Sequence, residues 1–387
     1  MKVPNCMNNI CFITDKYPNE ADPASYVFVR NIIWELADSG KNVSVISPIH
    51  FYTKNLKRIP VKLIEKTFSG NNVFVFFPRY FYIPGVRLHL ALLSLINLFF
   101  YRSACKKAIL NENIQVDCFY GHFIHRAGMC ACRLGEIFCK PSFVAYGESS
   151  DWTIHNAGGV KHVRQALKNV NGVIAVSTKN KEYLMTNSIC DCSKIGLFVN
   201  GVQLDKFYPR NKLDARAMFG FDNNTFIIAF VGHFIERKGI IQLSEAAIGI
   251  KNTGVIYAGK GELSPTGSNT LFKDFVSPDK MPYFLSAADV FVLPTKNEGC
   301  ANAILEALAC GLPVISSDLP FNYDVLDESC SILVDPNSID EIRNAILKLK
   351  NDKNLREELS QGALEKSKGF SLTKRAENIS QFMDARK

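Results

Sequence analysis

Short apolar runs alternate along the chain with polar loops and with stretches whose apolar residues recur at helical spacing. Ile10–Thr14 is a compact apolar run, Asp15–Ser25 is rich in Pro, Asn and Asp, Val27–Ser39 has helical spacing, and Val43–Ser47 is apolar again after Gly40. Continuous apolar runs joined by helices are the pattern of a parallel sheet, whose strands are buried on both faces and linked by crossovers. The pattern recurs at Cys118–Tyr120, Ser142–Tyr146 and Val173–Val176, then pauses in residues 196–212, where Asn200-Gly201 and Pro209 signal turns. It then restarts. Strands are predicted over Phe226–Val231, Gly254–Ala258, Val290–Leu293 and Pro313–Ser316, and helices over Gly239–Gly249, Met281–Ala287 and Ala301–Ala309. The stretch Ile339–Arg386 reads as helical, with a break near Gly369-Phe370-Ser371. The expectation is an α/β chain of two domains, 1–200 and 201–370, with a terminal helix over 371–387 packing back on the first. Ligands of open parallel sheets bind beyond the carboxyl ends of the strands, so two facing sheets would create one cleft.

Composition fits this picture and adds an asymmetry. The 387 residues, 47% hydrophobic and 21% charged, suffice for two cores and exclude a disordered tail or a disulfide-stapled miniprotein. Residues 1–200 hold 23 Lys/Arg against 13 Asp/Glu, whereas residues 201–387 hold 22 against 24. The whole excess behind the net +8 therefore lies in the first half. Residues 51–107 carry ten Lys/Arg and one acid, Glu65, interleaved with Phe51, Tyr52, Phe74, Phe76, Phe77, Tyr80, Phe81 and Tyr82. That combination suits a nucleic acid, an anionic membrane or an acidic substrate, and charge alone does not choose among them.

Twelve cysteines are scattered through globular sequence with no C-x-x-C and no paired His at zinc spacing, so reduced thiols and no structural metal are expected. The opening MKVPNCMNN runs straight into Ile10–Ile13 without a signal-peptide pattern. The longest apolar run, Leu90–Tyr101, is short of the ~20 residues that span a bilayer. A cytoplasmic chain is expected, soluble or peripheral at a membrane.

Three stretches could carry chemistry. In Asp289–Asp318 a buried strand leads to Glu298-Gly299, then a helix containing Glu306, then another strand. Amides near Gly299, Cys300, Ala301, Asn302 and Ala303 would open that helix, where unpaired N–H groups and the dipole suit a diphosphate. Were the segment from Glu298 to Glu306 helical, the two acids would lie about two turns and ~12 Å apart, one able to hold a ribose diol and the other a sugar hydroxyl. Two solvated helix acids fit the same residues. In Ala229–Gly239 a strand ends at Gly232, followed by His233, Arg237 and Lys238; cations there can neutralise a phosphate, and Gly232 lets a ligand approach the backbone. In Tyr120–Gly128, His122 and His125 follow a short strand, a place for catalytic or merely packed imidazoles.

Other sites are disfavoured. There is no phosphate-binding G-x-x-x-x-G-K-[ST], Ser264 spoils a dinucleotide fingerprint at Gly259-Lys260-Gly261, and neither D-x-D nor G-x-S-x-G occurs.

In order along the chain, FITDKYPNEADPASYVFVRN, YGHFIHRAG, AYGESSDW, VNGVQLDKFYP, FVGHFIERKG, YAGKGE and EGCANAILEALACGLPVISSD resemble the family 4 glycosyltransferases of the GT-B fold, which has two facing Rossmann-like domains. The resemblance covers nearly the whole chain, and the last block is its most specific part. It implies that Glu298 contacts hydroxyls of the transferred sugar, Gly299 to Asn302 offer amides to sugar and diphosphate, Glu306 holds the ribose, and Lys238 binds the diphosphate with help from Arg237 or His233. Phe275 and Val276 fall where the base is contacted, and His122 aligns with the histidine that projects toward the reacting sugar. The loop from Asp15 to Ala24 lacks the glycine pair usual there. The implied reaction is retaining transfer from a nucleotide diphosphate sugar, without a metal or other cofactor, to a glycan or lipid-linked acceptor of exopolysaccharide, capsule or lipopolysaccharide assembly. The resemblance also implies an acceptor-binding N-terminal domain with its basic segment against an anionic membrane, and no nucleic-acid partner. A nucleotide-sugar epimerase of the same architecture and a non-catalytic scaffold subunit are the alternatives.

Overall fold

Strands rich in Val, Ile, Ala and Phe with no polar face must be covered on both sides, and the computed structural model shows them so: Ser142–Tyr146, Thr253–Ala258 and Val290–Leu293 are buried at every position. The structure describes residues 7–23, 25–84, 90–149 and 152–387, with the side chains of 90–92 and 152 excepted. Ala24 of the opening loop, and Ser150 and Asp151 of AYGESSDW, lie outside the described residues. The chain divides into two units, one running to Phe198 and resuming at Thr373, the other Val199–Leu372.

The first unit holds an eight-stranded sheet in the order Ile195–Leu197, Gly172–Ala175, Ser142–Tyr146, Cys118–His122, Asn9–Thr14, Asn42–Ile46, Asn72–Phe76, Lys62–Lys66. Only the edge strand Lys62–Lys66 pairs antiparallel. Asn9–Thr14 lies between Asn42–Ile46 and Cys118–His122, so the winding direction reverses beside it. The terminal helix Leu372–Asp384 buries Ala376, Ile379 and Met383, and Asp384 accepts from the Met7 amide (2.8 Å) and Lys41 Nζ (3.0 Å).

The second unit is a six-stranded parallel sheet ordered Thr270–Asp274, Thr253–Ala258, Phe226–Val231, Val290–Leu293, Val314–Ser317, Ser331–Val334. Its reversal lies between Phe226–Val231 and Val290–Leu293, which pair through Ile228 and Ala229. Both reversals are places where an open sheet presents a crevice at its strand ends.

The strands the hydrophobic pattern misses are at or near sheet edges. Lys62–Lys66 and Thr270–Asp274 alternate between half-buried and exposed positions, so they carry no continuous apolar run. Leu90–Tyr101 is the first part of a longer helix, Leu90–Asn111, which buries Tyr101, Ala104, Cys105, Ala108 and Ile109. The polar Asn97 inside the apolar run pins a loop: its Oδ1 accepts from the Ile83 amide (2.8 Å) and its Nδ2 donates to the Ile83 carbonyl (3.0 Å). Among the described residues no helix is long and apolar enough to cross a membrane, and the cysteines are free thiols.

Candidate active site

In the second unit, the loops leaving the two strands at the reversal are locked backbone to backbone. Gly239 sits at φ 70°, and a Cβ there would stand 2.1 Å from the Pro294 carbonyl oxygen, so only glycine fits. The Lys296 amide donates to the Arg237 carbonyl (2.8 Å), and the Thr295 hydroxyl oxygen lies 3.1 Å from the same carbonyl. This brings Arg237 and Lys238 over the loop that carries Glu298. One carboxylate oxygen, Oε1, then accepts from Lys238 Nζ (2.5 Å), Thr295 Oγ1 (2.9 Å) and Arg237 Nη1 (3.0 Å). Arg237 also donates to the Asn297 carbonyl. Glu298 is 8% exposed, so these charge-assisted bonds are made largely out of water.

Glu298 is not on the helix. The helix runs Asn302–Ala309, with Ala301 in extended geometry before it, close to the expected Ala301–Ala309, so the condition of a helix from Glu298 to Glu306 is not met. Gly299, Cys300 and Ala301 instead form a loop onto the helix start, and no side chain caps its first turn. Asn200 ties this loop down, its Nδ2 donating to the Cys300 carbonyl (3.2 Å) and to Asn302 Oδ1 (2.9 Å). Glu306, half-buried on the second turn, has its carboxyl pushed up to about 7 by burial, against the pull of Lys206.

Gly232 directly follows the strand Phe226–Val231. A Cβ there would meet nothing closer than Lys238 Cδ at 3.6 Å; the protein's own packing does not demand glycine. His233 is exposed beside it. Val276 is buried in the core beyond Thr270–Asp274, while Phe275 before it is 49% exposed with Lys260 Nζ over its ring at 5.8 Å.

In the first unit His122 is not beyond the strand but its last residue, paired with Thr14 at the reversal. Its ring packs with Phe12, Tyr120 and Phe123. Burial, with repulsion from Arg375 added, lowers its pKa to about 3, so the imidazole is neutral near pH 7. His125 follows in an irregular turn and is also shifted down by burial.

Sequence reasoning missed three residues. Thr295 and Asn200 fix the Glu298 loop, and Asn200-Gly201 had been informative only as a turn. Glu148 lies two residues past the strand Ser142–Tyr146 and accepts from the Ile124 amide (2.9 Å) and the Gly147 amide (3.0 Å); burial pushes it up to about 7. The strand-end rule that singled out His122 also points to it.

Residues 211–366 match the family described as glycosyl transferases group 1, a span that contains Gly232, Arg237, Lys238, Glu298 and Glu306. The match lies within the second unit, Val199–Leu372. The chain is a glycosyltransferase, and its fold is GT-B. It is 26% identical over 368 residues to TuaC of Bacillus subtilis, a candidate teichuronic acid biosynthesis glycosyltransferase, covering 89% of each chain. Over 233 residues, 55% of this chain and 60% of the relative, it is 31% identical to the UDP-Gal:alpha-D-GlcNAc-diphosphoundecaprenol alpha-1,3-galactosyltransferase of Escherichia coli. Among solved structures, sucrose-phosphate synthase from Thermosynechococcus elongatus superposes with a TM-score of 0.78 at 20% identity, covering 96% of this chain and 98% of that one.

Proposed function

We propose that this glycosyltransferase moves a sugar from a nucleotide diphosphate sugar, held by residues 201–370, to a lipid-linked glycan acceptor held by the N-terminal unit, with retention of configuration and without a metal ion. The observation that carries this reading is the meeting of Arg237 and Lys238 on Glu298 at the reversal of the second sheet, beside a helix start that no side chain caps. Two cations and outward amides suit a departing diphosphate, whose charge grows as the glycosidic bond breaks. The absence of D-x-D from the sequence favours this protein-supplied neutralisation over a metal.

In this reading Glu298 takes hydroxyls of the transferred sugar once the diphosphate has drawn Arg237 and Lys238, and Glu306 takes the ribose diol as a carboxylate. Gly232 leaves room for the diphosphate against the backbone, Gly299 to Asn302 offer amides, His233 adds a cation when protonated, and the half-exposed Phe275 with Val276 frames the base. His122 serves as a neutral hydrogen-bonding group on the acceptor side. Among the described residues of the first unit, the strand-end acids Asp15 and Glu148 are held by Arg126 and by backbone amides, which favours front-face attack in which the acceptor hydroxyl passes its proton to the leaving phosphate oxygen. The lipid-diphosphate acceptor in the name of the Escherichia coli relative and the basic, aromatic residues 51–107 favour an acceptor at an anionic membrane, in polysaccharide assembly. Thermal shift against UDP, GDP and ADP sugars tests the donor class; no stabilisation by any of them would refute the reading. The anomeric configuration of the product, read by NMR, tests retention.

A further inference from the structure

The chain crosses between the two units twice, after Phe198 and after Leu372, and the two crossings are fastened to each other within the second unit. The Val202 amide donates to the Phe370 carbonyl (2.8 Å) and the Leu372 amide to the Val202 carbonyl (3.0 Å), a short parallel bridge of Val202 with Ser371. Gly201 makes room for it, since a Cβ there would stand 2.7 Å from Leu372 Cα. On the other side, the Phe198 amide donates to the Ala175 carbonyl (2.8 Å) and its carbonyl accepts from Arg375 Nε (3.4 Å), which anchors it in the first unit. Val199, Asn200 and Gly201 are therefore the whole span between an anchor in one unit and an anchor in the other.

The middle residue of that span reaches the loop assigned to the diphosphate. Asn200 Nδ2 donates to the Cys300 carbonyl (3.2 Å) and to Asn302 Oδ1 (2.9 Å), so both N–H bonds of its amide group are committed to the segment that opens the helix Asn302–Ala309. An asparagine that serves only its own turn bonds the backbone two residues on; this one instead reaches a loop about a hundred positions away. A few residues between two anchors are where a change in backbone torsion is absorbed, and a side chain held in their middle ties that torsion to the loop. We propose that Asn200 is a positioning residue of the donor site that couples the diphosphate loop to the crossing. A diphosphate ordered on Gly299–Asn302 holds the Cys300 carbonyl and the Asn302 side chain still, and through Asn200 it orders Val199–Gly201 and the paired Phe370–Leu372. The coupling is reciprocal, so loosening the crossing weakens diphosphate binding. The proposal rests on the donor-site reading above and adds the route by which occupancy reaches the chain between the units.

Hydrogen exchange read by mass spectrometry on the full chain, without UDP and with UDP saturating for each protein, tests it. In the wild type UDP is expected to slow exchange in peptides covering 299–303, and also in those covering 198–203 and 369–373. Asn200→Ala should keep the slowing at 299–303, lose it at 198–203 and 369–373, and bind UDP about fivefold more weakly. Asn302→Ala keeps the amide at its position and removes one of the two acceptors, so the slowing at 198–203 should fall between those of the other two proteins; it also serves as the second variant should Asn200→Ala melt well below the wild type. The proposal is overturned if UDP protects 299–303 but leaves 198–203 unchanged in the wild type, or if the slowing there survives undiminished in both variants. A wild-type protein that UDP does not protect even at 299–303 overturns the donor-site reading, and this proposal with it.

Discussion

Glu298 Oε1 and Lys238 Nζ, sixty positions apart in sequence, stand 2.5 Å apart, with Arg237 Nη1 on the same oxygen at 3.0 Å. The pair is largely buried on both sides, so neither charge is readily left alone. A diphosphate that takes the two cations must compete with Glu298 for them, and the carboxylate it displaces becomes free for sugar hydroxyls.

Glu298→Gln should separate these roles. The variant leaves two neighbouring cations without their carboxylate, so it should melt below the wild type. Its gain in melting temperature on adding UDP should exceed that of the wild type, because the diphosphate no longer competes with Glu298. Transfer should fall by about tenfold or more, since a charge-assisted bond contributes about 1.5–3 kcal/mol. Equal UDP-induced shifts in both proteins would show that the diphosphate does not use these cations.

The two glycines that frame the first loop should behave oppositely. Gly239→Ala drives a Cβ into the Pro294 carbonyl from a left-handed backbone, and should destabilise the protein by more than about 1 kcal/mol, measured by denaturant unfolding. Gly232→Ala meets only ordinary contacts; its stability should match the wild type while UDP affinity drops. A Gly232→Ala protein with unaltered UDP binding would mean that no ligand approaches the backbone there.

Burial holds the Glu306 carboxyl at about 7, above its ordinary value near 4.5, with two consequences. The folded state keeps this proton longer than the unfolded state, so the stability it contributes is fully present below about pH 4.5 and is lost as pH rises through about 7. Glu306→Gln should remove that part of the decline in melting temperature between pH 5 and pH 8. If the carboxylate holds the ribose diol, UDP-glucose affinity should rise up to about tenfold from pH 6 to pH 8 as the ionised fraction grows, and the rise should vanish in Glu306→Gln. Isothermal titration of both proteins across this range decides it.

The first unit exposes Phe51 and Tyr52, each in ring contact with the exposed Phe81, in a segment with ten Lys/Arg and one acid. Near an anionic surface each cation contributes about 1 kcal/mol, and the rings add shallow apolar contact. The protein should float with liposomes containing phosphatidylglycerol at low salt, and with neutral phosphatidylcholine liposomes far less. Phe81→Ser with Tyr52→Ser should reduce flotation without changing UDP binding. Indifference to lipid charge and to salt would rule the surface out.

The sequence by itself determined the class of fold and singled out Arg237, Lys238 and Glu298, which the second unit brings together. Uninterrupted apolar runs are dictated by burial on both faces, so Phe226–Val231, Val290–Leu293 and Ser142–Tyr146 were legible to the residue. Edge strands such as Thr270–Asp274, exposed along one side, left no such trace. Glycines, cations and acids at strand ends were likewise readable, because strand ends are where a parallel sheet can offer them.

Only the tertiary structure decided how these groups meet. Helical periodicity extended through Glu298 would have set it two turns from Glu306, but the helix starts at Asn302, and Glu298 turns instead to Arg237 and Lys238 across the sheet reversal. That contact depends on strand order and on Gly239 lying against Pro294, long-range relations that no local pattern encodes. The same holds for a cavity of the first unit, where Asp15 and Arg126 converge beside the sheet reversal at Asn9–Thr14. Local sequence dictates what each segment can bury, and the winding of the sheet dictates which of its polar ends become neighbours.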